Sequence, residues 1–144
     1  MKTLFTAEQF TSTLWDTTEE KLRFAEHFVR FVEGGFRQTV FPKWFYHRLS
    51  NTFYHIPHYD RAAFWGTWFS STQRQLDFLV HTANHRTGGD PKYGYSDVEQ
   101  VLTQWVREQG LVEKYQLLVT QEVEAKERAE LARLIAKYGI PEEE

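Results

Sequence analysis

Signals for the starts and ends of helices recur along the chain and constrain its fold more than any other sequence feature. Thr6–Gln9, Thr17–Glu20 and Ser96–Glu99 each have the form of a capping box. In this motif a hydroxyl side chain and a glutamine or glutamate three residues later satisfy free backbone N–H groups at the start of a helix. Glycine or proline ends most of the apolar stretches that follow. No stretch shows a convincing strand pattern.

These signals predict an irregular bundle of about six helices with a long C-terminal helix. We expect the helices at residues 6–15, 17–33, 42–49, 60–83, 96–110 and 111–138, with Asp60 as the N-cap of the fourth. Residues 84–95 contain three glycines and one proline, which predicts an irregular loop. A length of 144 residues favours one domain spanning 1–144.

The composition excludes several classes of protein. The chain has no cysteine, which excludes disulfide bonds, thiolate metal sites and cysteine nucleophiles. No stretch approaches the roughly 18 apolar residues of a membrane span, and the N-terminus has no apolar signal-peptide region. We therefore expect a cytoplasmic protein. Residues 34–92 carry seven Lys or Arg against three Asp or Glu, whereas residues 96–144 carry six against eleven, which favours an anionic partner for the middle of the chain.

The middle of the chain is dense in aromatic residues, because twelve of the 34 residues between Phe36 and Phe69 are aromatic. These rings either form the core with the interleaved cations at its rim, or remain partly displayed for recognition. Three consecutive rings at 44–46 spread around a helix, so we expect some ring near the surface. The sequence predicts a binding surface formed by residues 41–69 and the 84–95 loop, with these candidate residues: Trp44, Tyr46, His55, His58, Tyr59, Arg61, Arg86, Lys92 and Tyr93.

Histidine spacing suggests a metal site as an alternative. Asp77, His81 and His85 recur every four residues and align on one face if the helix continues that far, with His55 and His58 earlier in the chain. Imidazole and carboxylate ligands suit one divalent transition metal. The glutamate that follows the first histidine in metalloprotease motifs is absent, and hydrogen-bonded histidines are the other interpretation.

The last helix carries a seam of small residues at four-three-four spacing, namely Ala125, Ala129, Ala132 and Ala136. Such a seam lets another helix approach closely. The seam predicts either packing against a helix of the same chain or a homodimer.

We expect a non-catalytic binding protein without a cofactor, of the inhibitor, adaptor or regulator type, that binds a protein or an anionic ligand. The sequence has neither a phosphate-binding loop nor a nucleophile elbow. A metal-dependent enzyme is one alternative. A single-stranded nucleic-acid or nucleotide binder is another, because rings interleaved with cations suit stacked bases. The net charge of −3 disfavours a nucleic-acid partner.

Overall fold

The all-α fold is confirmed by a computed structural model, which describes residues 4–54 and 60–140. Within these ranges there is no strand. Two short 3-10 helices, Ala7–Gln9 and Gln38–Val40, and a π-helix, Ser50–Tyr54, accompany the α-helices. The α-helices are α1 (Thr18–Glu33), α2 (Lys43–Leu49), α3 (Arg61–Phe69), α4 (Thr72–Ala83), α5 (Ser96–Glu108) and α6 (Leu111–Tyr138). None of the described helices combines the length and apolarity needed to cross a membrane.

The first predicted helix is wrong beyond Gln9, because only a single 3-10 turn forms. Phe5 and Phe10 are both buried, and the backbone is already extended at Phe10. The next residue, Thr11, donates its N–H to Asp97 Oδ2 at 2.9 Å. The chain therefore leaves the helical path in order to bury two rings and reach α5, and this tertiary interaction overrides the local helix signal.

The single helix predicted for residues 60–83 is two helices. It begins as expected, since the Asp60 side chain accepts the N–H of Ala62, but it breaks at Ser70 and Ser71. The Ser71 hydroxyl accepts the N–H of Arg74 and so caps α4. Serine side chains compete with helical hydrogen bonds in this way. The break places Phe69 of α3 against Phe78 of α4, with ring centroids 4.9 Å apart.

Phenylalanine rings from several helices meet around Phe31 of α1, which is fully buried. Its ring centroid lies between 4.9 and 5.4 Å from those of Phe36, Phe41, Phe45 and Phe69. Most of these pairs are edge-on, the arrangement that aromatic quadrupoles favour. The phenylalanines of the middle segment thus form the centre of the core.

The end of α1 shows how strongly this core determines the backbone. Gly35 and Phe36 both have positive φ angles, of 86° and 62°. Phe36 donates its N–H to the Phe31 carbonyl at 2.9 Å, and its own carbonyl accepts from Trp65 Nε1 at 2.8 Å. A left-handed conformation is costly for a bulky residue, so packing and these two hydrogen bonds must compensate for it.

A buried ion pair joins the N-terminal segment, α1, the 84–95 loop and α5. The Lys21 side chain is completely buried, and its Nζ lies 3.0 Å from Asp97 Oδ1. The same ammonium donates to the Pro91 carbonyl at 3.0 Å. Asp97 also accepts the N–H of Thr11. One lysine therefore fixes the relative positions of four parts of the chain.

Helix α6 packs along α4 over only part of its length. Leu111 and Tyr115 are buried, and Thr72 of α4 donates its hydroxyl to Glu122 at 2.6 Å. Of residues 123–138, only Ile135 is even half-buried. At 1.5 Å per residue these sixteen residues form a helical extension about 24 Å long.

The alanine seam lies on this extension, and all four of its alanines are exposed. The packing against another helix of the same chain is therefore not found among residues 4–54 and 60–140. The homodimer stays a prediction.

Lys21→Ala should lower the free energy of unfolding by about 3–5 kcal/mol, because it leaves the Asp97 carboxylate largely buried without a cation. Lys43→Ala, which removes an exposed lysine from α2, is the control and should change stability by less than about 0.5 kcal/mol. Urea denaturation followed by circular dichroism measures both. Equal losses in the two variants would contradict the central role of the buried pair.

Candidate functional site

The 84–95 loop is attached at several points to the elements beneath it. Ser96 Oγ donates to the Gly89 carbonyl at 3.1 Å, and His85 Nε2 pairs with the Glu99 carboxylate. The sequence predicted Ser96 and Glu99 as a capping box, but α5 begins at Ser96 and both side chains hold the loop instead. Lys21 adds a third attachment at Pro91. A connection with little regular structure is thereby held in a defined place.

Two cavities adjoin the loop on either side of Gly88 and Gly89. Cavity A has a volume of about 500 Å³ and lies between the loop and α5. Cavity B has a volume of about 350 Å³ and lies between the loop and the α2–π-helix segment. We call the two together the loop groove. The wall of cavity A includes His85, Thr87, Gln100, Thr103, Gln104 and Arg107, and that of cavity B includes Arg48, Asn51, Thr52, Tyr93, Tyr95 and Glu99.

The acidic side chains of the loop groove are already engaged by the protein. Asp97 is bound by Lys21, Glu99 pairs with His85, and Asp90 accepts the N–H of Lys92. Arg86 and Lys92, in contrast, are exposed and form no ion pair within the described parts of the chain. The surface around the groove therefore presents positive charge to solvent.

Arginine and tyrosine side chains order the wall of cavity B. The Arg48 guanidinium lies 4.1 Å from the centroid of the Tyr95 ring, and its Nη2 lies 3.4 Å from Asp16 Oδ2. Burial raises the pKa of Tyr95 to about 12. Tyr93 is 71% exposed, so a large ring stands at the rim of the groove. A planar cation and an exposed ring are typical of recognition surfaces.

The other predicted binding residues occupy different environments. Trp44 is half-buried and Arg61 is exposed, with its Nη1 donating to the Phe41 carbonyl at 3.3 Å. Tyr46 is only 2% exposed, so its assignment to the binding surface is corrected: its ring packs against Phe41 and Phe64 in the core. His55, His58 and Tyr59 lie outside the described residues.

The aromatic excess of the middle segment is mainly core. Of its described rings, Trp44, Tyr54, Trp65 and Trp68 are half-buried and the others are buried. The expectation that some ring reaches the surface beside positive charge applies most clearly to Trp44, whose ring lies 4.0 Å from the Arg23 guanidinium.

Three residues of the predicted metal site, Asp77, His81 and His85, form hydrogen bonds with other groups of the protein. His81 Nε2 donates to the Phe53 carbonyl of the π-helix at 2.8 Å, and its ring stacks on Tyr54 with centroids 4.3 Å apart. Asp77 is exposed and accepts from Gln73. Helix α4 ends at Ala83, so His85 belongs to the loop, where it pairs with Glu99. Among the described residues no three His, Asp or Glu side chains form a group able to hold a metal ion.

A smaller cavity of about 300 Å³ lies beside Trp44, and we call it the Trp44 pocket. Its wall is formed by Arg23, Glu26, His27, Arg30 and Trp44. The His27 ring meets the Trp44 ring edge-on at 5.0 Å, and His27 Nε2 donates to the Val40 carbonyl at 2.8 Å. Burial lowers the pKa of His27, and the positive charges of Arg30 and Arg23 lower it further.

The depressed pKa of His27 predicts a loss of stability in mild acid. In the unfolded chain His27 binds a proton near pH 6.5, whereas in the folded protein it does so only at a lower pH. The contribution of neutral His27 to the free energy of unfolding is therefore fully present above about pH 6.5, and it is lost as the pH falls toward the pKa of His27 in the folded protein. His27→Gln should reduce the difference in unfolding free energy between about pH 7 and about pH 5. The control is His47→Gln, which removes an exposed histidine. An unchanged difference in His27→Gln would contradict this effect.

Several groove residues were not among the individually predicted binding residues, although Arg48 and Asn51 lie within the predicted 41–69 segment. Arg48 is four residues after Trp44, so their shared helix face was a usable signal. Asn51, Glu99 and Arg107 have no such signal, because their positions depend on how the loop folds back. No family model, curated protein or solved structure matches this chain.

Proposed function

We propose that the protein is a non-catalytic binding protein of the inhibitor, adaptor or regulator type, and that the loop groove holds an acidic segment of a protein partner. One observation carries the proposal: the two regions singled out in the sequence meet at cavity B. Arg48, Asn51 and Thr52 come from the aromatic segment and form one side of it. The other side is formed by the loop residues Gly88, Gly89, Asp90, Tyr93, Gly94 and Tyr95.

The charges around the groove support an acidic ligand. Because Asp97 is paired with Lys21 and Glu99 is hydrogen-bonded to His85, both carboxylates are directed toward partners within the protein rather than toward a ligand in the groove. Arg86 and Lys92 on the loop attract such a ligand from a distance. The cytoplasmic location expected for a cysteine-free chain is part of this proposal.

The shape and composition of the rim support a protein partner. Tyr93 presents most of its ring to solvent, and tyrosine is among the residues that contribute most to protein interfaces. Gly88 leaves open space above the backbone, since a Cβ placed there meets nothing within 4 Å. A partner's main chain can approach closely at that point.

Negative charge introduced at the groove or on the loop beside it should abolish partner binding. We expect Gly88→Asp and Lys92→Glu to release a partner retained by the wild type, because both place negative charge beside the acidic segment. Tyr93→Ala should weaken binding about tenfold or more. Quantitative pull-down from the native host, with mass spectrometry, measures retention.

Two controls match these variants. Gly88→Ala adds a side chain at the same position without charge, so it should weaken binding less than Gly88→Asp does. Lys114→Glu reverses an exposed charge on α6 and should retain the partner. If all variants retain the partner equally, the loop groove is not its binding site. If the partner is lost after nuclease treatment, the nucleic-acid alternative is favoured.

We also propose a homodimer as a second assembly to test, because the described elements leave the alanine seam uncovered. Light scattering should then give twice the chain mass of 17.2 kDa. Ala129→Glu should restore the monomer mass, since a carboxylate prevents close helix approach. A monomeric wild type would exclude this dimer without affecting the loop groove.

A further inference from the structure

We infer that the Trp44 pocket is a separate site for a phosphoryl group or an equivalent small dianion. The pocket lies on the exposed side of α1, against α2, and shares none of its wall residues with either cavity of the loop groove. The inference therefore goes beyond the proposed function and is independent of it.

Two arginines give the pocket its chemistry. Arg23 and Arg30 are two turns apart on α1, with His27 between them, so all three lie on one side of the helix. Neither arginine forms an ion pair within the described ranges. Guanidinium groups bind phosphate through paired N–H donors, and unpaired guanidinium groups beside a cavity are available for this role.

The pocket is held in shape before any ligand arrives. The flat Trp44 ring supports the Arg23 guanidinium, which restricts the directions in which that guanidinium points. His27 is fixed by the Val40 carbonyl and by contact with Phe45, at a centroid distance of 4.5 Å. Such preorganisation reduces the entropy lost when an anion binds.

Positively charged side chains outnumber negatively charged ones in the wall of the Trp44 pocket. Arg30 and Arg23 add to the effect of burial in lowering the pKa of His27, which lies with them in the pocket wall. Among the described residues of the wall, Glu26 is the one carboxylate, and it opposes an anion there. The volume of about 300 Å³ accommodates a phosphate and part of the molecule that carries it.

Titration with inorganic phosphate, and with sulfate at constant ionic strength, tests the site. The His27 ring resonances should shift saturably in the nuclear magnetic resonance spectrum as either anion binds. Arg23→Gln and Arg30→Gln should each weaken binding about tenfold, the loss expected for one charge-assisted contact. Glu26→Gln should strengthen binding, because it removes the opposing carboxylate.

Arg37→Gln is the matched control, since it removes an exposed arginine that is not part of the pocket wall. It should leave phosphate affinity unchanged. If Arg37→Gln and Arg23→Gln weaken phosphate binding equally, the effect comes from the overall charge of the protein, and the proposed site is wrong. The absence of a saturable His27 shift in the wild type would overturn it as well.

Two further probes identify the source of the phosphoryl group while testing the same pocket. If adenosine monophosphate binds more tightly than phosphate, and Arg23→Gln and Arg30→Gln weaken its binding too, the ligand of the pocket is a nucleotide. A phosphoserine peptide that does so assigns a phosphorylated protein. Equal affinity for all three assigns the free anion.

Discussion

Burial of the Lys21 ammonium is the interaction on which the arrangement of the loop groove depends. An ammonium removed from water is stable only if acceptors replace its hydration. Asp97 offers both carboxylate oxygens and Pro91 its carbonyl, so the lysine brings α5 and the loop to α1. The walls of both cavities are therefore set by a residue that is itself inaccessible to a ligand.

The aromatic core supplies the second constraint. Rings around Phe31 come from both ends of the middle segment, and their packing helps to stabilise the left-handed backbone at Phe36. Most of the aromatic excess is used in this way. Consecutive rings on a helix point in different directions, so they cannot all enter the core. At residues 44–46, for example, Phe45 and Tyr46 are buried and Trp44 is half-buried.

The helices were largely predictable because capping and periodicity are local. The start at Thr17 and the end at Gly34 follow from neighbouring residues. The errors occur where distant contacts dominate: Asp97 draws Thr11 out of the first predicted helix, and Phe69 and Phe78 meet across the break at Ser71.

The site was less predictable for the same reason. The loop followed from glycine and proline content, and Tyr93 was among the candidate binding residues, whereas cavity B joins residues about 40 positions apart. The histidine spacing correctly placed Asp77 and His81 on one helix, but spacing does not reveal what a side chain meets. His81 meets a π-helix carbonyl, and a π-helix has no recognisable sequence signal.

The partial packing of α6 has a consequence for the order of its extension. A segment of about sixteen residues that is almost entirely exposed gains little from packing, and a helix of this length is marginally stable in isolation because nucleating a helix is unfavourable. Here the turns packed on α4 act as the nucleus, and each later residue needs only to propagate the existing helix. Order along the extension should therefore decline gradually toward Tyr138, and melting of α4 would remove it entirely. The helicity of the extension thus depends on whether the core that packs against the start of α6 is folded.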